Sequence, residues 1–425
     1  VCFAGDGKML FRESKGLQLF ADPATQLDDD TPALVEKAPL AQCEVSVIVP
    51  ARNEAETLSA TLSALAHQVD LQGQRLDFRR YEIILLLNNC SDNSAAIARN
   101  FAQANPDLVL HIVEKTLPAT EAYIGRVRQI LMDEAYRRLI SIGRKRGVIA
   151  STDGDSQVSQ TWIAATLYEI NCGADAVGGR IITNQVERAA LDPYTRACHL
   201  REVGYHHLIA ELESYIDPDP YDTFPRHYQH CGASFAVTAQ MYALAGGLPP
   251  VRTPEDVALY QALVRVNARI RHSPLVWVIT SARQTGRTDI GFANLLSKRS
   301  QMGRQKQPLL VESAAAIETR YSARHQLRVI WFSVLNGKMP THIQLAPLAD
   351  TLGVPSLWLV QELKQPYSFG LLFERVEQCS KEQGIWAERW QKVEIQTAIS
   401  DLRLRLESLR RGNKKEANKV STYVF

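Results

Sequence analysis

Cysteines are few and follow no pattern. The seven, at Cys2, Cys43, Cys90, Cys172, Cys198, Cys231 and Cys379, are odd in number and show no CxxC spacing. That argues against a disulfide framework or a thiolate zinc site and favours the reducing cytoplasm. Charge of one sign is not in excess: 48 Lys and Arg against 46 Asp and Glu give a formal +2, no reason to expect nucleic acid or an anionic membrane as partner. Long apolar runs are missing. The longest late one, "LRVIWFSVL", falls far short of the ~20 residues of a bilayer span, so no transmembrane segment is expected. The opening "VCFAGDGKML" has neither the basic flank nor the apolar stretch of a signal peptide. It lacks an initiator methionine, so the amino terminus is expected to be processed or incomplete. Glycine-rich cradles are absent as well: no GxGxxG follows the first strand and no GxxxxGK[ST] occurs, against a dinucleotide-binding fold or a P-loop. The expectation is a soluble cytoplasmic protein whose 425 residues suffice for two or three domains.

What is present is alternation. Residues 1–42, with the acidic "ADPATQLDDDTPAL", read as a loosely ordered lead-in. "EVSVIVP", "YEIILLL", "LVLHIV" and "GVIAS" are β-branched or leucine-rich runs of strand length, continuous enough to be buried on both faces. Between them lie helical patterns. Leu58, Leu62 and Leu65 mark the first, "SDNSAAIARNFAQ" with Ser91 or Asp92 as N-cap the second, and Val127 to Leu139 an arginine-rich third. "TWIAATLYEI" is the fourth. Four strand–helix alternations predict an α/β fold, a doubly wound and mostly parallel sheet with helices on both faces. Beyond residue 180 the pattern loosens into a helix over about 194–213, the strand "SFAVT" and the helix "EDVALYQALVRV". From residue 305 onward it is helical almost throughout. The expected division is a lead-in 1–42, an α/β domain 43–304 and a C-terminal helical region 305–425, the last a candidate surface for homodimerisation.

In a doubly wound sheet, ligands bind at the carboxyl edge, where loops and helix amino termini converge. Three polar loops follow apolar strands and precede helices: Pro50-Ala51-Arg52-Asn53-Glu54, Asn88-Asn89-Cys90-Ser91-Asp92 and Asp153-Gly154-Asp155. A solvated turn would explain any one of them; three in series make a site. Without a glycine-rich cradle, a bound diphosphate needs a divalent metal, and Asp153 and Asp155 supply hard oxygen ligands for Mg²⁺ or Mn²⁺.

The ordered set "VSVIVPARNEAETL", "LLLNNCSDNS", "STDGDS", "CGASFAVTAQMYALAGGLPP" and "PEDVALYQAL" resembles the family 2 glycosyltransferases of the GT-A fold, over residues 44–290. The resemblance implies transfer of a sugar from a nucleoside diphosphate sugar to an acceptor hydroxyl, with inversion at the anomeric carbon. It places Pro50 to Glu54 along the nucleoside, with Glu54 near the ribose, and Asn88 and Asn89 where an aspartate often reads the base. It makes Asp155 the metal ligand, with Asp153 on the ribose or assisting the metal. Arg128 lies where an arginine faces the nucleotide, although a solvated helix face would account for most arginines there. Asp256, or failing it Glu255, would take the proton from the attacking hydroxyl. Both also suit the first turn of a helix on dipole grounds alone.

The chain departs from the resemblance in two places. "VWVITSAR" carries no histidine where relatives often place a metal ligand, though His272 stands just upstream. "SQMGRQ" stands in for the QxxRW of processive synthases and has no tryptophan, which implies a single transfer. "DPDPYDTFPRHYQH" gathers Asp217, Asp219, Asp222, His227 and His230 and reads as an ordered surface loop, or an acceptor-binding lid. Two competing functions stand beside the transferase: a nucleotidyltransferase, which would want a glycine-rich basic loop after the first strand, and a catalytically silent nucleotide-sugar-binding or scaffold protein.

Overall fold

A computed structural model describes residues 33–284, 286 and 291–421, the side chains of 413–421 excepted. Most of the lead-in, residues 1–32, lies outside the described residues. Its end is fastened: the Leu34 and Val35 amides donate to Glu134 and Arg138 donates to the Lys37 carbonyl at 2.7 Å.

The first half alternates as expected. The elements are β1 (Val45–Ala51), α1 (Leu58–Ala66), β2 (Tyr81–Asn88), α2 (Ser94–Ala104), β3 (Leu110–Lys115), α3 (Ile124–Ser141), β4 (Val148–Ser151), β5 (Ser156–Val158) and α4 (Trp162–Asn171). Then follow β6 (Ala176–Thr183), α5 (Gln185–Ala190), α6 (Pro193–Ile216), β7 (Phe235–Thr238), α7 (Ala239–Leu244), α8 (Glu255–Arg265), β8 (Ile270–Thr280) and α9 (Phe292–Arg304). The eight strands form one sheet in the order β3-β2-β1-β4-β7-β6-β8-β5. β1 runs parallel to β2 and β4, β2 to β3, and β6 to β8. β7 is antiparallel to both its neighbours, and β5 to β8. The sheet is thus mixed, parallel in the half that was legible as alternation, with helices packed on both of its faces.

Two cores lie on its faces because successive strand side chains point oppositely. Ile83, Leu85 and Leu87 of β2 join Leu58, Leu62 and Leu65 of α1 on one face. Ile84 and Leu86 join Leu131 and Leu139 of α3 and Leu259 and Leu263 of α8 on the other.

The rest is β9 (Leu310–Val311), α10 (Ala314–Leu335), α11 (His342–Leu352), α12 (Ser356–Leu363), α13 (Phe369–Gln383), α14 (Ile385–Arg389), β10 (Val393–Glu394) and α15 (Ile395–Ser421). The 304/305 division falls between α9 and β9. Across it, Cys198, Tyr205 and Leu212 of α6 are buried with Ile317 of α10 and Ala398, Leu402 and Leu406 of α15. Among the described residues no single helix is long and apolar enough to cross a membrane.

Candidate active site

Two asparagines shape the first two loops. Asn53 and Asn89 hold left-handed backbones at φ 55 and φ 50, a conformation their short polar side chains tolerate better than most. Asn53 Oδ1 accepts the Ser91 amide at 2.8 Å, and Asp92 accepts the Ala55 amide at 3.0 Å, so the loops after β1 and β2 are laced together. Asp92 also accepts the Ser94 amide, while the cap position of α2 is Asn93 rather than Ser91 or Asp92. Asn89 donates to the Leu117 carbonyl and accepts its amide, both at 3.0 Å, which uses both ends of its side chain. Asn88 differs. It is 4% exposed and its Oδ1 has no partner among the described residues, an unusual state for a buried acceptor. Pro50 and Ala51 remain within β1, paired with Leu86 and Leu87. Arg52 is exposed and reaches the Ala122 carbonyl at 3.5 Å.

Gly154 sits between its two acids because the turn is drawn beneath the first loop. A Cβ there would lie 3.1 Å from Ala51 Cβ and 3.2 Å from Glu54 Cγ. Its carbonyl accepts the Thr57 and Thr61 hydroxyls at 3.2 and 3.0 Å. On one side, Asp153 meets the Arg128 guanidinium at 2.6 Å, and Arg128 also forms a close ion pair with Glu255. A Cβ at Gly232 would overlap that guanidinium, so the glycine of "CGAS" admits Arg128 to the site. The Gly232 amide donates to Asp256 Oδ2 at 3.2 Å, and the Val257 amide to Oδ1 at 2.8 Å. On the other side, Arg283 grips Glu54 with two bonds of 3.0 Å and meets Asp155 at 3.0 Å.

The structure therefore brings Glu54, Asp153, Asp155, Glu255 and Asp256 into one cluster, five carboxylates around the two guanidiniums of Arg128 and Arg283. Their charges are felt mutually. Burial pushes the Asp153 carboxyl above its ordinary value; Arg128 pulls it back, and Asp256 and Glu54 add to the rise. Glu255 is raised by burial, against Arg128, with Asp256 adding to it. Burial works against the Arg128 charge, and Glu255 and Asp153 more than offset it. An excess of negative charge on hard oxygens suits a divalent cation. No group of three or more His, Cys, Asp and Glu among the described residues is arranged to hold a metal ion.

Three expectations change. Arg128 and Arg138 of α3 are buried at 4% and 5% exposure rather than on a solvated face, Arg138 being paired with Glu82 at 2.6 Å. The segment after α6 is ordered and Asp219 is exposed, but two of its acids are interior: Asp217 holds Arg324, His325 and Arg328, and Asp222 holds Arg226 and, at 2.7 Å, His272. His272 is therefore engaged away from the acid cluster. Arg283 was missed altogether. Its one sequence signal is position, directly beyond the last long strand, where a side chain reaches the carboxyl edge of the neighbouring strands.

A family model described as glycosyl transferase family 2 matches residues 46–225, which include the first two loops and both acids of the Asp153-Gly154-Asp155 turn. The chain is 28% identical over 138 residues to the glycosyltransferase AglE of Haloferax volcanii. That match takes in 32% of this chain and 39% of AglE. Among solved structures it is similar to the mannosyltransferase PcManGT of Pyrobaculum calidifontis in complex with GDP-Man and Mn²⁺, at 15% identity over 88% of this chain and 91% of that one, TM-score 0.40. It is also similar to S. aureus TarS 1–349 in complex with UDP-GlcNAc, at 15% identity over 87% and 92%, TM-score 0.42. Over residues 46–225, then, the chain is similar to the family 2 glycosyltransferases.

Proposed function

We propose that the chain moves one sugar from a nucleoside diphosphate sugar to an acceptor hydroxyl, inverting the anomeric carbon in a single transfer. The observation that carries this reading is the charge-unbalanced carboxylate cluster at the carboxyl edge of β1 and β4, with Asp256 hydrogen-bonded into it through Gly232. The acceptor oxygen forms a bond to the anomeric carbon as the bond to the diphosphate oxygen breaks, and the hydroxyl proton passes to the Asp256 carboxylate. Glu255 is the poorer base, being buried and held by Arg128. A divalent cation, Mn²⁺ or Mg²⁺, held by Asp155 with help from Asp153, would neutralise charge on the departing diphosphate. The unpartnered Oδ1 of Asn88 suits a donor on the base, while Pro50 to Glu54, Arg128 and Asp153 border the nucleoside. Asn89 contributes by fixing that loop. We place the transferring unit at residues 43–304 and assign homodimerisation to 305–425, where Val329, Phe332 and Leu335 of α10 are exposed; light scattering of the full chain checks the latter.

Thermal melts with UDP and GDP test the site directly. A ligand that binds the folded state raises the midpoint, and the rise should be larger with Mn²⁺ than with chelator. Asp155→Ala should erase the metal-dependent part while leaving the free protein folded. Equal rises with Mn²⁺ and with chelator would remove the cation from the proposal. Transfer with retention of anomeric configuration, read by NMR of the product, would remove the single displacement.

A further inference from the structure

Arg283 is placed with care for a residue that follows a strand end. The Ser281 hydroxyl and the Ala282 amide both donate to Glu187 Oε2, at 2.6 and 2.7 Å. Glu187 lies in the first turn of α5, whose cap Asn184 accepts the Glu187 amide at 3.2 Å. The backbone is thus pinned immediately before Arg283, and the side chain crosses to Glu54 and Asp155. Its fork is bidentate on Glu54 and its Nη2 is shared with Asp155. Burial works against this guanidinium's charge, and the hydrogen bonds of Glu54 with the charge of Asp155 outweigh it. A cleft of about 100 Å³ adjoins Asp155, lined also by Thr57 and Glu187, so small ions reach the carboxylate from solvent.

An arginine at this point has a specific consequence. Asp155 is the acid that the proposed transferase assigns to the cation, and a guanidinium already neutralises it. A divalent ion arriving alone must compete with a charge-assisted pair that gains further from Glu54. A nucleoside diphosphate alters the balance, because its oxygens are both ligands for the ion and acceptors for the guanidinium, which Arg is shaped to meet bidentately. We propose that Arg283 is a placeholder for the cation: it neutralises Asp155 in the nucleotide-free protein and turns to the diphosphate when the nucleotide arrives, so that cation and nucleotide bind as a coupled pair. Coupling of this kind is reciprocal, each ligand raising the other's affinity by the same factor. It keeps the cation from binding without the donor. The inference rests on Asp155 being the cation's ligand.

The experiment is Mn²⁺ binding to the full chain, followed by the electron paramagnetic resonance of free Mn²⁺, with no nucleotide, with UDP and with GDP. Wild type should bind Mn²⁺ weakly alone and at least about tenfold more tightly with whichever diphosphate binds, roughly 1.4 kcal/mol of coupling. Arg283→Gln should bind Mn²⁺ alone about tenfold more tightly than wild type does, with the coupling to nucleotide reduced toward unity. Arg283→Lys keeps the charge but not the fork and should fall between the two, which guards against misreading a folding defect in the glutamine variant. Asp155→Asn should remove tight Mn²⁺ binding in every condition. If Asp155→Asn does so while neither Arg283 variant changes Mn²⁺ affinity or coupling, the placeholder role is overturned and the cation's ligand stands. If Asp155→Asn still shows nucleotide-linked Mn²⁺ binding, the metal reading fails and takes the placeholder with it.

Discussion

Two acid clusters lie in this molecule, made of the same residue types and built to opposite ends. Around Asp217 and Asp222, arginines and histidines crowd the carboxylates: Asp217, with a side chain 0% exposed, is met by Arg324, Arg328 and His325, and Asp222 by Arg226, Arg271 and His272. These pairs tie the segment after α6 to α10 and β8. Around Asp153 and Asp155 the count reverses, five carboxylates to two guanidiniums. The direction of the carboxyl pKa values records the difference. Asp217 and Asp222 are lowered, Asp222 to about 2, because hydrogen bonds and opposite charges overcome the burial that alone would raise them. Asp153 and Glu255 are raised. A carboxylate with its charge satisfied holds structure; one left in excess is open to a ligand that brings positive charge.

The largest expected effect separates the clusters by function. Asp256→Asn keeps the size and the Gly232 hydrogen bond of the side chain but removes its basicity. Transfer should fall by roughly 10²- to 10⁴-fold with donor affinity little changed, measured by initial rates and by nucleotide titration. Glu255→Gln should reduce transfer less, since Glu255 is buried and held by Arg128. The reverse pattern would make Glu255 the base. If both variants transfer normally, these residues serve only the first turn of α8.

The second effect should appear in stability alone. Asp217→Asn leaves Arg324, Arg328 and His325 around a neutral amide, and breaking a buried pair from one side costs on the order of 3 kcal/mol. Chemical denaturation should read that loss, while nucleotide binding by the remaining folded protein stays as in wild type. A drop in nucleotide affinity larger than the stability loss would place this segment at the acceptor or donor after all.

What was legible follows the same division. Strands β1 to β4 were read because parallel strands buried on both faces are continuous apolar runs. β5 has three residues, too few to show a period. β6 carries Gly178 and Gly179, where a Cβ would press on Gln229 and Ser234, and its pairing with β8 shifts register after Gly179; its glycines hide a strand. The acids of the site were legible as loop chemistry beside strand ends. Their partners were not, since Arg128 meets Glu255 across 127 residues and Arg283 meets Glu54 across 229. Local pattern carries no information about such pairs, so only the resemblance singled out Arg128 among the arginines of its helix, and Arg283 went unnoticed.

A third prediction uses pH. The Asp222 carboxyl sits at about 2 in the folded chain against 3.8 for an ordinary aspartate. A carboxyl depressed by folding contributes stability that is whole above its unfolded value and is lost as pH falls through its folded one. The loss should fall between about pH 4 and pH 2 and amount to about 2 kcal/mol. Asp222→Asn should be less stable than wild type at pH 6 and approach it near pH 2, measured by urea midpoints. A constant gap between the two across that window would mean that charge is not what Asp222 contributes.

The smallest effect has the opposite sign and tests the comparison most sharply. In the unliganded protein Asp153 is raised, by burial first and by Asp256 and Glu54 next, although Arg128 stands against it. Its ionised form is therefore favoured less in the fold than in the unfolded chain, and the fold loses stability as pH climbs from the unfolded value to the folded one. Asp153→Asn removes that charge while Arg128 keeps Glu255 as partner. The free protein should become slightly more stable at neutral pH, and its advantage should vanish at pH 3, where both residues are neutral. Nucleotide diphosphate binding in the presence of Mn²⁺ should weaken in the same variant. A residue retained at a cost to stability and needed for binding is what an active-site acid should look like. A loss of stability in Asp153→Asn comparable to that in Asp217→Asn would place both clusters in one structural class and dissolve the distinction between them.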